Sequence, residues 1–197
     1  MGLRERKKVK LRQAVRREAL RLFAEQGWEA TTVGQIADAA DISTTTFYRY
    51  FTGKEDVVLG GPDEPGESLV PELLAARPAG EPLPDALRAI HPTLAAGLES
   101  NRDEVLTRYD LSIRVPDLRA RMATEQEKNY AAYTEALTAR TGRAAGDYPL
   151  RLAVALLLAA HLEAVRHWVE NRGEPDLTSL LDQSIAPLTP YLASLQK

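Results

Sequence analysis

Three consecutive hydroxyls, Thr44, Thr45 and Thr46, precede the run Phe47-Tyr48-Arg49-Tyr50-Phe51, and Lys54 follows shortly after. If Phe47, Tyr50 and Phe51 anchor one side of a helix, its period leaves Thr44, Thr45, Tyr48 and Arg49 largely on other sides. Short hydroxyl side chains let a helix approach a major groove closely, where threonine can bond base edges or pack its methyl on thymine. Tyr48 can donate to a phosphate, and Arg49 can pair with a phosphate or a guanine edge. Three threonines make a poor autonomous helix, so a solvated segment without a task is the weaker account of this stretch.

The remaining reactive residue types offer little catalytic chemistry. The chain has no cysteine, which excludes disulfides, thiolate metal sites and cysteine nucleophiles together. His161 and His167 are six residues apart, about 240° around a helix, and cannot clasp one metal as an i,i+4 pair could. His91 is remote from both in sequence. His167 reads as a surface residue and His161 as a satisfied core group or a polar group of a pocket. No enzyme activity, metal site or cofactor is expected.

Positioning the hydroxyl-rich stretch requires helices on either side of it. Val15, Ala19, Leu22 and Phe23 recur at helical spacing, with Gly27 placed to end that helix. Thr31 or Thr32 can cap the next, and Thr32 followed by Gln35 fits a capping box ahead of Val33, Ile36, Ala37 and Ala40. Asp41 and Ile42 make a brief turn, and Ser43 can cap again. Two short helices joined in this way have the form of a helix-turn-helix.

The net charge of -3 hides a division. Residues 1–56 carry 11 Lys and Arg against 8 Asp and Glu, and nine of the basic residues precede position 22. Such a field attracts polyanions even when the whole chain is acidic. The N-terminus lacks the apolar core of an export signal, and the run LAVALLLAAHL falls short of the ~20 residues that cross a bilayer. A cytoplasmic protein with no membrane association is therefore expected.

In order, LFAEQGW, TTVGQIADAADIS and TTTFYRYFTGKE resemble the DNA-binding domain of the TetR family of transcriptional regulators over roughly residues 12 to 58. The resemblance implies phosphate contacts by Thr46, Tyr48 and Lys54, with Thr44, Thr45 and Arg49 facing the groove. Thr32 resembles a further phosphate contact, with Thr31 beside it. Asp41 stands where the family often has glycine, a mild change because aspartate tolerates turn conformations. Thr45 replaces glycine or another small residue and bears on which bases are preferred.

Beyond Val58 the chain becomes irregular through GGPDEPGES, then helical again with Leu87, Ile90, Leu94 and Leu98 in register. Pro92 should bend that helix near His91. Helices are expected at about 102–115 and from Pro116 to about Arg140. The final two segments repeat Leu150, Val154, Leu157, His161, Val165 and Trp168, then Leu177, Leu181, Ile185, Leu188 and Leu192. Leu157, Val165, Leu177, Leu181, Ile185 and Leu188 could form a homodimer interface, with ordinary intramolecular core as the competing reading. Arg108, Tyr109, Tyr130, Tyr133, His161 and Trp168 are bulky or polar interruptions that could line a ligand pocket. The C-terminal half, particularly LRLAVALLLAAHLEAVRHWVENRGEPDLTSLLDQSIAPL, also resembles an actinobacterial TetR subgroup linked in some members to acyl-coenzyme A sensing. This implies an acyl-coenzyme A or another elongated apolar effector, with a drug-like aromatic compound as the next candidate.

The expected protein is all-α, with a DNA-binding domain at 1–58, an irregular connection with a short helix at 59–82, and an antiparallel helical effector-binding and dimerisation domain at 83–197. Its expected function is a repressor released from a palindromic operator on double-stranded DNA by a small apolar effector. The alternatives are a DNA-binding regulator controlled by a protein partner and a helical interaction protein that does not bind DNA.

Overall fold

The computed structural model of the chain describes residues 3–59 and 69–196, and the side chains among them except those of 3–6 and 123–125. The acidic Gly/Pro insert at 60–68 lies outside the described residues. Every regular element among the described residues is helical. The chain divides into two compact units, one comprising the described part of Met1–Pro65 with Asp103–Ala123, the other the described part of Gly66–Arg102 with Thr124–Lys197.

The first unit begins with α1 (Leu3–Gln26), α2 (Val33–Ala39), α3 (Thr44–Tyr50) and α4 (Lys54–Leu59). Helix α1 stops at Gly27, whose φ of +86° suits a residue without Cβ and lets its N–H reach the Phe23 carbonyl at 3.0 Å. At α2 the capping box forms as the sequence predicts. The Gln35 N–H donates to the Thr32 hydroxyl at 3.3 Å, and the Thr32 N–H donates to the Gln35 side chain at 2.8 Å. The turn before α3 places Asp41 at φ +54°, a conformation that aspartate accepts at lower cost than most residues.

Val15, Ala19, Phe23, Ile36, Phe47, Phe51, Val57 and Val58 share one core. Val115 and Leu118 join it from helices α7 (Arg102–Arg114) and α8 (Pro116–Thr141) or the corner between them. The stretch 103–123, placed by sequence with the C-terminal domain, therefore belongs to the first unit. These apolar residues complete a core that helices as short as α2, α3 and α4 cannot enclose alone.

In the second unit α5 (Val70–Ala75) and α6 (Leu83–Glu99) pack with the C-terminal part of α8, α9 (Tyr148–Glu170), α10 (Leu177–Ile185) and α11 (Thr189–Ser194). Leu83, Leu87, Ile90, Leu137, Leu150, Val154, Leu157, Ile185 and Leu192 are fully or almost fully buried together. Helix α6 is continuous through Pro92, which has no N–H for the Arg88 carbonyl. Helix α9, at 23 residues, is long and apolar enough by length and composition to cross a membrane. In the fold it buries Leu150, Val154, Leu157 and Trp168 in the second unit and exposes Arg151, Glu163, Arg166 and Glu170. The turn to α10 uses Gly173 at φ +70°, where a Cβ would come within 2.9 Å of the Trp168 ring.

Candidate functional site

Helix α3 presents two chemically distinct sides. Phe47 is fully buried, its ring centre 5.2 Å from that of Phe51, and Tyr50 packs partly against the same core. Thr44, Thr45, Tyr48 and Arg49 are exposed, Tyr48 to 59%. The Ser43 hydroxyl accepts from the Thr46 N–H at 3.1 Å and lies 2.9 Å from the Thr46 hydroxyl, so this half-buried threonine helps fix the start of the helix. Arg49 lies 5.1 Å from the centre of the Tyr50 ring. The result is a short helix with a rigid apolar base and an outward row of hydroxyls, a phenol and a guanidinium.

Of the residues expected to touch DNA, Thr31 is committed inside the unit and Lys54 is partly engaged there. Thr31 is 1% exposed, and its hydroxyl donates to the Gly27 carbonyl at 2.8 Å while accepting from the Gln26 amide at 3.1 Å. This corrects the DNA-contact reading, because a buried and doubly bonded hydroxyl cannot reach a phosphate. The Lys54 ammonium donates to the Trp28 carbonyl at 2.6 Å and the Thr31 carbonyl at 3.2 Å, and sits 4.4 Å from the centre of the Trp28 ring. Lys54 thus closes the loop between α1 and α2, with at most one ammonium proton left for another acceptor. Thr32 is exposed, although its hydroxyl serves the α2 cap.

Other basic residues brace the same short helices. Arg12 donates to the Tyr50 carbonyl at 3.0 Å and Arg16 to the Val57 carbonyl at 2.9 Å. Arg108 donates to the Val58 carbonyl, so a residue expected to line a ligand pocket satisfies a helix end that would otherwise be unpaired. Tyr109, from the same expected set, is half-buried on α7 in the first unit. Asp56, absent from the sequence reading, is completely buried; it accepts from the Thr52 N–H at 2.6 Å and from Arg121 of α8.

The second unit collects four polar side chains from four helices. Asp182 of α10 lies 2.6 Å from Nδ1 of His91 on α6. The His91 and His161 ring centres are 5.3 Å apart and nearly perpendicular, and Nδ1 of His161 on α9 lies 3.0 Å from the Tyr133 hydroxyl on α8. Burial drives the His161 pKa down to about 3, with the neighbouring His91 adding to the effect. Burial also lowers the His91 pKa, against the opposing hydrogen bond to Asp182. Both rings are therefore neutral at pH 7. Among the described residues, Nε2 of His91, Nε2 of His161 and Nε1 of Trp168 are buried without a hydrogen-bond partner.

Tyr133 and His161, two of the expected pocket residues, thus meet directly, and Tyr130 reaches the Arg151 carbonyl at 3.4 Å. Trp168 is fully buried beside Gly173. The sequence reading missed His91, although a signal was present: His91 follows Leu87 by four residues on the apolar side of α6.

Leu157, Leu177, Leu181 and Ile185 are buried within the chain itself. Their assignment to a dimer interface is corrected to core, since atoms already withdrawn from water have no surface to offer a partner. Val165 and Leu188 are half-buried. The exposed face of α9 carries Ala155, Ala159 and Leu162 at helical spacing, with Leu162 46% exposed.

Comparison with known proteins places both parts of the chain. Residues 16–60 match the family described as bacterial regulatory proteins, tetR family, and residues 81–193 match the MftR C-terminal domain. The chain is 34% identical over 189 residues to the HTH-type transcriptional regulator TcmR of Streptomyces glaucescens, covering 91% of this chain and 81% of that protein. Among solved structures, the TetR-family repressor FadR of Thermus thermophilus in complex with lauroyl-CoA is 25% identical, with a TM-score of 0.59 over 90% of this chain and 92% of FadR. NalD of Pseudomonas aeruginosa, at 21% identity, shares the fold with a TM-score of 0.62 over 92% and 96% of the two chains. The chain belongs to the TetR family of transcriptional regulators, ligand-responsive proteins that bind DNA.

Proposed function

We propose that this regulator is a cytoplasmic homodimeric repressor that grips a two-fold operator through α3 and is released when a largely apolar small molecule enters its second unit. The observation that carries the DNA part is the outward row Thr44, Thr45, Tyr48 and Arg49 over the buried Phe47. Hydroxyl, phenol and guanidinium groups on one exposed helix match the donors and acceptors of phosphates and major-groove base edges. A dimer supplies two such helices at the ~34 to 36 Å interval of successive major grooves. The outward face of α9, with Leu162 and the half-buried Val165, is the surface we assign to self-association, alongside Leu188.

The effector part is supported by the lauroyl-CoA complex of Thermus thermophilus FadR and by the buried Tyr133, His161 and Trp168 of the second unit, of which Tyr133 lies in its apolar core. An acyl-coenzyme A or another elongated apolar compound is the effector class considered, with Tyr130 at the same core. A ligand shifts DNA occupancy only through different affinities for the competent and incompetent states. A 100-fold difference provides about 2.7 kcal/mol of coupling.

Fluorescence anisotropy on a selected operator and scrambled duplexes tests the assignment. Tyr48→Phe should weaken binding to all duplexes about three- to tenfold, as expected for one phosphate hydrogen bond. Thr45→Ala and Arg49→Ala should chiefly reorder preference among duplexes. Affinity that is equal for every duplex and indifferent to Tyr48→Phe would overturn the reading. Lauroyl-CoA and free lauric acid, titrated into the preformed operator complex, test release separately.

A further inference from the structure

We propose that Nε2 of His91 and Nε2 of His161 form the polar end of the effector site, and that the effector carries a neutral hydroxyl on an apolar body. This rests on the effector reading above and narrows it to a chemical class.

The polarity of the chain Asp182, His91, His161, Tyr133 follows from which atoms can donate. A carboxylate only accepts, so the 2.6 Å approach of Asp182 requires a proton on Nδ1 of His91. In the neutral ring, Nε2 of His91 is then a bare acceptor. At the other end the Tyr133 hydroxyl meets Nδ1 of His161 at 3.0 Å. Of the two possible directions, donation by the more acidic phenol to the more basic imidazole nitrogen is favoured, and it leaves the proton of His161 on Nε2. One buried acceptor and one buried donor thus stand on perpendicular rings with centres 5.3 Å apart. A hydroxyl is both an acceptor and a donor, the complement of what Nε2 of His161 and Nε2 of His91 offer.

The surroundings select the rest of the molecule. Ile90, Leu157 and Ile185, neighbours of these residues along α6, α9 and α10, are buried apolar side chains suited to a hydrocarbon or aromatic body. An anionic head group is disfavoured because Asp182 already places negative charge behind His91. Arg88, one turn away from His91, is committed to Asp85 at 3.5 Å and to the Thr189 hydroxyl at 2.8 Å. An alkyl chain alone would bury both nitrogens unsatisfied, which native interiors rarely tolerate. His91 and His161 are 0% and 8% exposed, so the site is built into the core.

The experiment uses the full chain with ¹⁵N-labelled histidine and the matched probes 2-naphthol and naphthalene, followed by long-range ¹H–¹⁵N spectra and binding titrations. The expected result is at least tenfold tighter binding of 2-naphthol, with movement of the His91 and His161 Nε2 resonances and none at the exposed His167. Tyr133→Phe, which removes only the hydroxyl that fixes the His161 tautomer, should narrow the preference for 2-naphthol while leaving naphthalene affinity unchanged. His161→Phe should abolish that preference. If this variant fails to fold, Tyr133→Phe and the wild-type resonances still decide. Equal affinities for the two probes, no binding of 2-naphthol, or unmoved Nε2 resonances, as when retained water satisfies both nitrogens, would overturn the proposal. Operator release by lauroyl-CoA with both resonances unmoved would uphold an effector and sink this site. Hydroxyl-dependent binding that leaves the operator complex intact would uphold the site and sink the release mechanism.

Discussion

In the first unit, Arg12, Arg16 and Arg108 satisfy backbone carbonyls of the short helices α3 and α4, Lys54 satisfies those of the loop before α2, and the buried Asp56 gathers donors from Thr52 and Arg121. The second unit repeats that device toward its rim, where Arg140 donates to the Pro78 and Glu81 carbonyls at 2.9 Å. Its centre differs, because neutral rings there link four helices and leave two imidazole nitrogens without a partner among the described residues. The contrast has a physical reason. Helices of six or seven residues have nearly all their terminal N–H and C=O groups unpaired within the helix, so charged caps must define one geometry. Helices of 17 and 23 residues hold their own shape, and their shared core can retain polar groups for something that enters it.

The chain's two tryptophans divide between the units, Trp28 in the core of the first and Trp168 buried in the second. Variants that retain one or the other can therefore follow each unit separately during urea unfolding, which matters because two units need not unfold as one. The largest expected effect is from Phe47→Ala, which removes a fully buried ring at the base of α3 and should cost about 3–5 kcal/mol. The Trp28 transition should move to lower urea, the Trp168 transition should stay, and operator binding should be lost. A common shift of both transitions would show that the units are energetically inseparable.

A smaller effect isolates charge. Asp56→Asn keeps the shape and an acceptor for Thr52 but removes the anion facing Arg121, and should cost about 2 kcal/mol in the Trp28 transition. An unchanged midpoint would show that the buried carboxylate contributes shape alone.

The smallest effect, read over a narrow pH range, belongs to the second unit. The folded His161 pKa is about 3, so below about pH 6.5 the unfolded chain binds more protons than the folded one. This contribution to stability is complete above that pH and declines as pH falls toward 3. The lowered pKa of His91 acts in the same sense. Between pH 6.5 and 5, where exposed carboxylates remain ionised, His161 should cost the Trp168 transition up to about 1.4 kcal/mol per pH unit. His161→Phe should flatten that slope, and a wild-type transition independent of pH over this range would refute neutral burial of the ring.

Much of the first unit was legible because its signals are local. A capping box spans four residues, Gly27 and Asp41 stand at positive φ in single turns, and the side of α3 facing the core follows from the spacing of Phe47 and Phe51. Thr31 was misread because its burial depends on the Gly27 carbonyl four residues away, and the hold of the Trp28 carbonyl on Lys54, 26 residues away, was not legible for the same reason. The leucines of α9 and α10 were correctly read as apolar, but periodicity alone cannot distinguish a core from an interface. Burial within the chain decided for core at Leu157, Leu177, Leu181 and Ile185.

The sequence by itself determined helix type, caps, the apolar sides of α3, α6, α9 and α10, and the family, since each rests on residue types at short spacing. Tertiary structure alone decided that 103–123 completes the first core and that His91, 70 positions from His161, comes to stand beside it with Asp182 behind. Such meetings depend on how separate helices pack, and a helical period fixes which side of a helix is apolar but not which neighbour it will face.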